Sequence, residues 1–281
     1  MHNHNESECP SARAQSIWTR PGHGAWAGCL LLVLGLVASA RTQAGDLTAS
    51  EVLEDTRLYF TAPLRWDSDN WLYFGASIVA VGAATQYDDD VRSHFIDGSH
   101  AAPAGQDPNS LEHALPAAAL FAGTLTAAAL VHSRDGYGES WSMLEAGALS
   151  GVTAVALKYA SGRDRPNETD QVDAWFAGGD SFPSLHTTMA FAIGTVFAES
   201  GNDRYRWLRR SLGYGVAAGT AYLRLRDNVH WLSDTVAGAA LGVASAQFVM
   251  NRHDLMRRHH AAVMLMPVEG GLMMSCSVPL H

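Results

Sequence analysis

His230 and Asp234 stand four residues apart, a spacing that puts both side chains on one face of a helix. There the carboxylate can accept from one ring nitrogen while the other points outward as an oriented nucleophile. Arg224 lies just upstream as a cationic donor. A second stretch, Phe182-Pro183-Ser184-Leu185-His186, immediately precedes an apolar run. Pro183 and Ser184 are helix-start residues, and backbone N–H groups near Leu185 that lack intrahelical partners would face an anion. His186, in the first turn, can sit beside that anion and exchange a proton near neutral pH. In a third stretch Lys158 is the only lysine of the chain, and Arg165-Pro166 follows it in a polar loop. A compact ammonium and a planar guanidinium together suit a phosphoryl group, one as a point charge and the other as a fork. Singly, each of these residues is more often a helix cap or a solvated cation. Their order is what points to one anion-binding centre with two histidines.

The elements that must position them are apolar, Ala- and Gly-rich runs at 71–85, 114–131, 141–160, 187–197, 212–223 and 231–250, separated by loops rich in Gly, Pro, Asp and Asn. This pattern predicts an all-α fold, a bundle of about six helices. The run Asp88-Asp89-Asp90 lacks the Gly and Glu spacing of a calcium loop and reads as a solvated helix start. Around Gly270-Gly271 the tail alternates in a way that predicts a small strand hairpin. Trp66, Trp71, Trp141, Trp175 and Trp231 fall near the ends of apolar runs, which fits core anchors or an interfacial belt. The organisation read from these features is a secretory signal or anchor at 1–44, a polar N-terminal segment at 45–70, a helical catalytic domain at 71–252 and a tail at 253–281.

The leader rests on the apolar stretch 25–40, preceded by Arg13 and Arg20 and followed by Ala38-Ser39-Ala40 and Thr42-Gln43-Ala44 as cleavage candidates. It predicts export, with the mature chain periplasmic or on the extracytoplasmic face of a bacterial membrane. Cys9 and Cys29 fall in the leader, leaving Cys276 without an intrachain partner. A net charge of -9 argues against a nucleic-acid binder, which needs a basic face. With 47% hydrophobic and 17% charged residues, composition leaves soluble and membrane-bound helices both open. Most apolar runs are shorter than the roughly 20 residues of a spanning helix, and Glu145 and Asp234 interrupt two of them. Arg204, Arg206, Arg209 and Arg210 in one connection, and Arg252, Arg257 and Arg258 after the last run, form two basic segments that a six-span arrangement puts on one side.

Lys158 with six residues before Arg165-Pro166, then Pro183-Ser184-Leu185-His186, then Arg224 with five residues before His230 and three more before Asp234, resembles the three-part signature of the type 2 phosphatidic acid phosphatase superfamily, PAP2. Bacterial class A acid phosphatases, glucose-6-phosphatases and vanadium haloperoxidases share it. The resemblance covers roughly 141–250 and is specific because three segments agree in order. It implies a PAP2-type bundle and metal-independent phosphatase activity on a phosphomonoester or diphosphate, and the apolar helices point to that of a lipid. It further implies that Lys158, Arg165, Arg224, Ser184 and the Leu185 amide bind phosphoryl oxygens. His230 would attack phosphorus, Asp234 would orient it, and His186 would protonate the leaving oxygen and then activate water. Leu185 stands where the family usually has glycine, and Leu223 where it usually has serine; the first could narrow the pocket. The same resemblance leaves open a small-molecule acid phosphatase, or a haloperoxidase with vanadate as its cofactor. Under the phosphatase reading no cofactor or metal is expected, and the partners are the phosphorylated substrate and a membrane. A helical membrane protein that retains the site without catalysis is the remaining alternative.

Overall fold

Capping residues decide where the helices begin. In this computed structural model, which describes residues 49–96, 101–103, 105–107, 110–200, 203–259, 262–268 and 271–277, Asp67 accepts from the Asn70 N–H (2.9 Å) and Ser133 from the Gly136 N–H (3.1 Å). Each satisfies a first-turn donor that has no partner inside its helix. The described residues form α1 (Ala49–Phe60), α2 (Ser68–Thr85), α3 (Asp88–Ile96), α4 (Ser110–Val131), α5 (Arg134–Ser161), α6 (Leu185–Glu199), α7 (Arg206–Arg226) and α8 (Leu232–His259). A hairpin of β1 (Ala262–Val268) and β2 (Gly271–Ser277) follows, paired antiparallel with Val268 opposite Gly271. The all-α bundle is the expected architecture, and the six apolar runs lie in α2 and α4 to α8. The polar segment contributes α1, and the acidic run opens α3. The leader lies outside the described residues.

The acidic run also departs from expectation. Asp89 and Asp90 are exposed, but Asp88 is 1% exposed. It is drawn inward by partners on α8 and in the loop after α5, which no local pattern reveals. The tryptophans divide between the two readings: Trp141 and Trp231 are buried anchors, whereas Trp71 is exposed.

At the centre α6 packs against α4, α5, α7 and α8. Small residues make that possible. A Cβ on Gly242 of α8 would lie 2.3 Å from the Thr188 carbonyl, and one on Gly238 would lie 2.8 Å from the Ser184 carbonyl. These distances are too short for any side chain, so α8 can lie against α6 only where glycine stands. Met143, Ala146, Leu149, Ala192, Val196, Ala246 and Val249 fill the space among α5, α6 and α8.

Among the described residues two helices are long and apolar enough to cross a membrane by length and composition, Leu111–Val131 in α4 and Leu232–His253 in α8. They differ in setting: 44% of the second is buried inside the protein but only 11% of the first. Together with Trp71, Leu72 and Tyr73 of α2, all exposed, α4 presents apolar side chains outward.

One feature of the chain path matters most for chemistry. The C-terminal ends of α5 and α7 meet the N-terminal starts of α6 and α8 at one end of the bundle. Lys158 near the end of α5 donates to the Asp180 and Ser181 carbonyls just before α6, and the Ser184 N–H donates to the Asp234 carbonyl in α8 (3.0 Å).

Candidate active site

Lys158 is held in the last turn of α5 by Gly162, whose φ of 53° is left-handed and whose N–H closes on the Lys158 carbonyl (2.9 Å). Glycine adopts that conformation without a Cβ penalty. The loop then folds back on itself: Gly178 and Gly179 both donate to the Gly162 carbonyl at 3.0 Å, and Ser181 donates to the Arg163 carbonyl at 2.8 Å. A Cβ on Gly179 would fall 2.3 Å from that same carbonyl. This fold-back carries Arg165 and Asp180 together, with Arg165 Nε 2.8 Å from Asp180 Oδ1 and Nη2 3.3 Å from Oδ2.

The cations expected to meet phosphate are joined through an acid that the sequence did not single out. Asp107 accepts from Arg165 Nη1 (3.1 Å) and from both terminal nitrogens of Arg224, the Nη1 contact being 2.8 Å. Two guanidinium groups beside it hold its carboxyl well below the ordinary carboxylate range, against the opposing effect of burial. Arg224 is 0% exposed, and its Nη1 also lies 3.0 Å from His113 Nδ1. A loop acid some 60 residues from one arginine and over a hundred from the other gives no sequence signal, because only the fold defines the pairing.

His230 and Asp234 are both buried. His230 Nδ1 lies 3.4 Å from Asp234 Oδ2, and among the described residues it has no hydrogen-bond partner. The expected hydrogen bond is therefore an electrostatic contact here, for a visible reason. Asp234 Oδ2 already accepts from Ser181 Oγ (2.5 Å) and the Trp231 N–H (2.9 Å), and Oδ1 accepts from Arg163 Nη1 (2.7 Å). Arg163 is a second residue that the sequence reading passed over, although it stands two positions before Arg165 in the same loop.

At the start of α6, Ser184 is the capping residue by backbone conformation but makes no side-chain cap. Its hydroxyl accepts from Thr187 Oγ1 (3.0 Å). Leu185 is the first helical residue, so its amide is among the donors left open by helix geometry. The Leu185 side chain lies toward α5, where its Cδ1 would be 3.8 Å from a Cβ placed on Gly151. The bulk that replaces glycine is thus accommodated by a glycine on the neighbouring helix.

Electrostatically the three segments act on one another. Burial, and then the charges of Lys158, Arg224, Arg165 and His186, hold the His230 imidazole well below its ordinary 6.5. That direction favours the neutral ring, which has a lone pair available for attack. Burial, and then Arg165, lower the Lys158 ammonium from 10.5 to about 7, against the opposing pull of Asp180 and Asp234. Arg224 Nε, like His230 Nδ1, has no hydrogen-bond partner among the described residues. With Arg224 Nε left as an unpartnered donor, the buried cluster can take a further acceptor.

Comparison with known proteins reaches the same segments. Residues 139–257 match the sequence model of the PAP2 superfamily. The likeness to the PAP2 superfamily rests on this segment. The chain is similar to the lipid A 1-phosphatase of Porphyromonas gingivalis, 40% identical over 96 residues, which is 34% of this chain and 20% of that protein. It is also similar to the bacitracin transport permease protein BcrC of Bacillus licheniformis, 38% identical over 71 residues, or 25% of this chain and 32% of that one. The matched region therefore spans a third or less of these two curated relatives. Among solved structures, that of Aquifex aeolicus LpxE aligns with a TM-score of 0.39 at 22% identity, covering 52% of this chain and 88% of that one.

Proposed function

We propose that this protein is a phosphatase that hydrolyses a phosphomonoester or diphosphate of a lipid through a phosphohistidine at His230. The observation that carries the proposal is the buried His230, its Nδ1 3.4 Å from the buried Asp234 carboxylate, with the charges of Lys158, Arg165 and Arg224 acting on it. In the first step Nε2 of His230 forms a bond to phosphorus as the bond from phosphorus to the leaving oxygen breaks, and His186 gives that oxygen a proton. In the second step His186 takes a proton from water. The resulting hydroxide attacks phosphorus, phosphate departs, and the ring of His230 is restored. Asp234 faces the other ring nitrogen and balances the positive charge of the phosphorylated ring. Lys158, the two arginines and the first amides of α6, with Ser184 beside them, match the charge spread over the transferring phosphoryl oxygens.

Two observations favour a lipid. The outward faces of α2 and α4 are apolar, and a relative 40% identical in the matched region is a lipid A 1-phosphatase. The two basic segments also support an extracytoplasmic site. Arg209 pairs with Glu139 at the start of α5, Arg210 with Glu199 at the end of α6, and Arg252 with Asp55. These positions lie at the end of the bundle remote from His230. Cytoplasmic placement of that basic end would leave the reaction centre on the opposite face.

The proposal is tested by assaying purified protein, with and without detergent, against phosphatidate, a polyprenyl diphosphate, lipid A phosphate and a soluble phosphomonoester. Phosphate release that survives EDTA and is lost in His230→Ala supports it. Activity that persists in His230→Ala, or that requires added magnesium, contradicts it. Vanadate is expected to inhibit; peroxide-dependent halide oxidation in its presence would instead identify a haloperoxidase.

A further inference from the structure

The buried side of the His230–Asp234 pair holds charges that the mechanism above leaves unused. Arg163 Nη1 donates to Asp234 Oδ1 and Ser233 Oγ, each at 2.7 Å, and Nη2 donates to Asp88 Oδ2 and the Val172 carbonyl, each at 2.7 Å. Asp88 reaches across from the first turn of α3. It accepts from the Ser233 N–H (2.8 Å) at its Oδ1 and from Ser233 Oγ (2.6 Å) at its Oδ2. The side chains of Asp88, Asp234 and Arg163 are all 1% exposed or less, and the guanidinium lies 4.5 Å from the Trp175 ring and 5.2 Å from that of Trp231.

Two physical consequences follow. The Ser233 N–H is one of the first-turn donors of α8 that has no intrahelical partner, so Asp88 caps that helix from another part of the chain. The helix it caps begins directly after His230 and carries Asp234. In addition, one guanidinium is shared between two carboxylates. Were Asp234 its only acidic partner, Arg163 would neutralise it, and little negative charge would face the imidazole. With Asp88 present the buried trio keeps a formal charge of −1, available to a ring that becomes cationic on phosphorylation.

We infer that Asp88, acting through Arg163, is a positioning residue of the reaction: it caps α8 and preserves the negative charge with which Asp234 holds the phosphorylated ring of His230. This rests on the phosphohistidine reading. A purely structural tie would affect stability and substrate binding together, whereas a charge reserved for the phosphorylated ring affects turnover at constant binding.

The test compares Asp88→Asn with Asp89→Asn, its exposed neighbour, in the full chain, using phosphatidate in mixed micelles as substrate and inorganic phosphate as competing ligand. Both substitutions remove one acidic charge from the same helical turn, but only one touches Arg163. Asp88→Asn is expected to lower kcat about ten- to a hundredfold, with KM and phosphate inhibition within about twofold of wild type. Asp89→Asn is expected to match wild type. An Asp88→Asn protein with kcat equal to that of Asp89→Asn overturns the inference, as does one that loses phosphate binding in proportion to turnover. Should Asp88→Asn not fold, Ser233→Ala removes the hydroxyl that donates to Asp88 Oδ2 and accepts from Arg163 Nη1, while keeping the backbone N–H cap and both charges. A fall in kcat of about threefold at constant KM supports the role, and wild-type kcat overturns it. His230→Ala is run in parallel. If it is inactive while Asp88→Asn is normal, only this inference falls; if it is active, the phosphohistidine reading falls first.

Discussion

Two buried polar clusters of similar composition sit at opposite ends of α5 and α8, and they behave differently. At the far end Ser142 Oγ lies 2.7 Å from His253 Nδ1, His253 Nε2 lies 2.8 Å from Glu145 Oε2, and Arg252 holds Asp55 Oδ1 through Nε (2.9 Å) and Nη2 (2.7 Å). Both nitrogens of that ring have partners, and the cluster ties α1, α5 and α8 together. At the other end His230 Nδ1 and Arg224 Nε have no hydrogen-bond partner among the described residues, and Lys158, Arg165 and Arg224 together act on His230. Histidine, acid, arginine and serine occur in both. Function is distinguished by what is left over: one cluster is satisfied within the protein, and the other, whose cations are balanced by Asp107, Asp180 and Asp234, keeps unpartnered nitrogens on His230 and Arg224.

Substitutions at the two histidines should separate these roles most widely. His230→Ala is expected to reduce phosphate release to background with little change in thermal stability. His253→Ala is expected to keep kcat within about twofold while lowering stability by about 3 kcal/mol, the cost of breaking a buried charge-assisted pair, measured by thermal or denaturant unfolding. Comparable activity loss in both variants would erase the distinction. Next in size is Arg165→Lys, which keeps the charge but loses the fork that engages Asp180 and Asp107. Steady-state kinetics should show kcat/KM lower by about a hundredfold.

The pH profile sharpens the same contrast. A lysine lowered to about 7 is charged below that pH and neutral above it, so kcat/KM, which reports the free enzyme, should fall as pH rises through about 7. Lys158→Arg, charged throughout, should flatten that limb at some cost in rate. A limb that is unchanged in Lys158→Arg would assign it to another group. The smallest effect is expected at Leu185→Gly, below about threefold in kcat/KM, because the leucine side chain lies toward Gly151 of α5.

The sequence made one side of the reaction centre legible. Lys158, Arg165, His186, Arg224, His230 and Asp234 stand at or just beyond helix ends in the order read from their spacing, and the six apolar runs became the helices that carry them. The groups that hold them in place were hidden for a common reason. Asp107 and Asp180 are lone loop acids and Asp88 opens a run of three in a first turn, places where an acid is ordinarily solvated. Their partners lie 15 to 145 residues away along the chain. Arg163 had a weak local signal, a second arginine beside Arg165, but its two carboxylate partners come from α3 and α8. A run of three aspartates reads as surface until the fold turns the first of them inward.

The central claim is a covalent bond between His230 and phosphorus, and rapid-quench labelling tests it directly. With substrate labelled in the transferred phosphoryl group, the wild-type protein should acquire acid-labile, alkali-stable label within one turnover, confined to the peptide that contains His230 and absent from His230→Ala. Turnover without any protein-bound label at the earliest quench times, or label on a peptide lacking His230, would contradict the account.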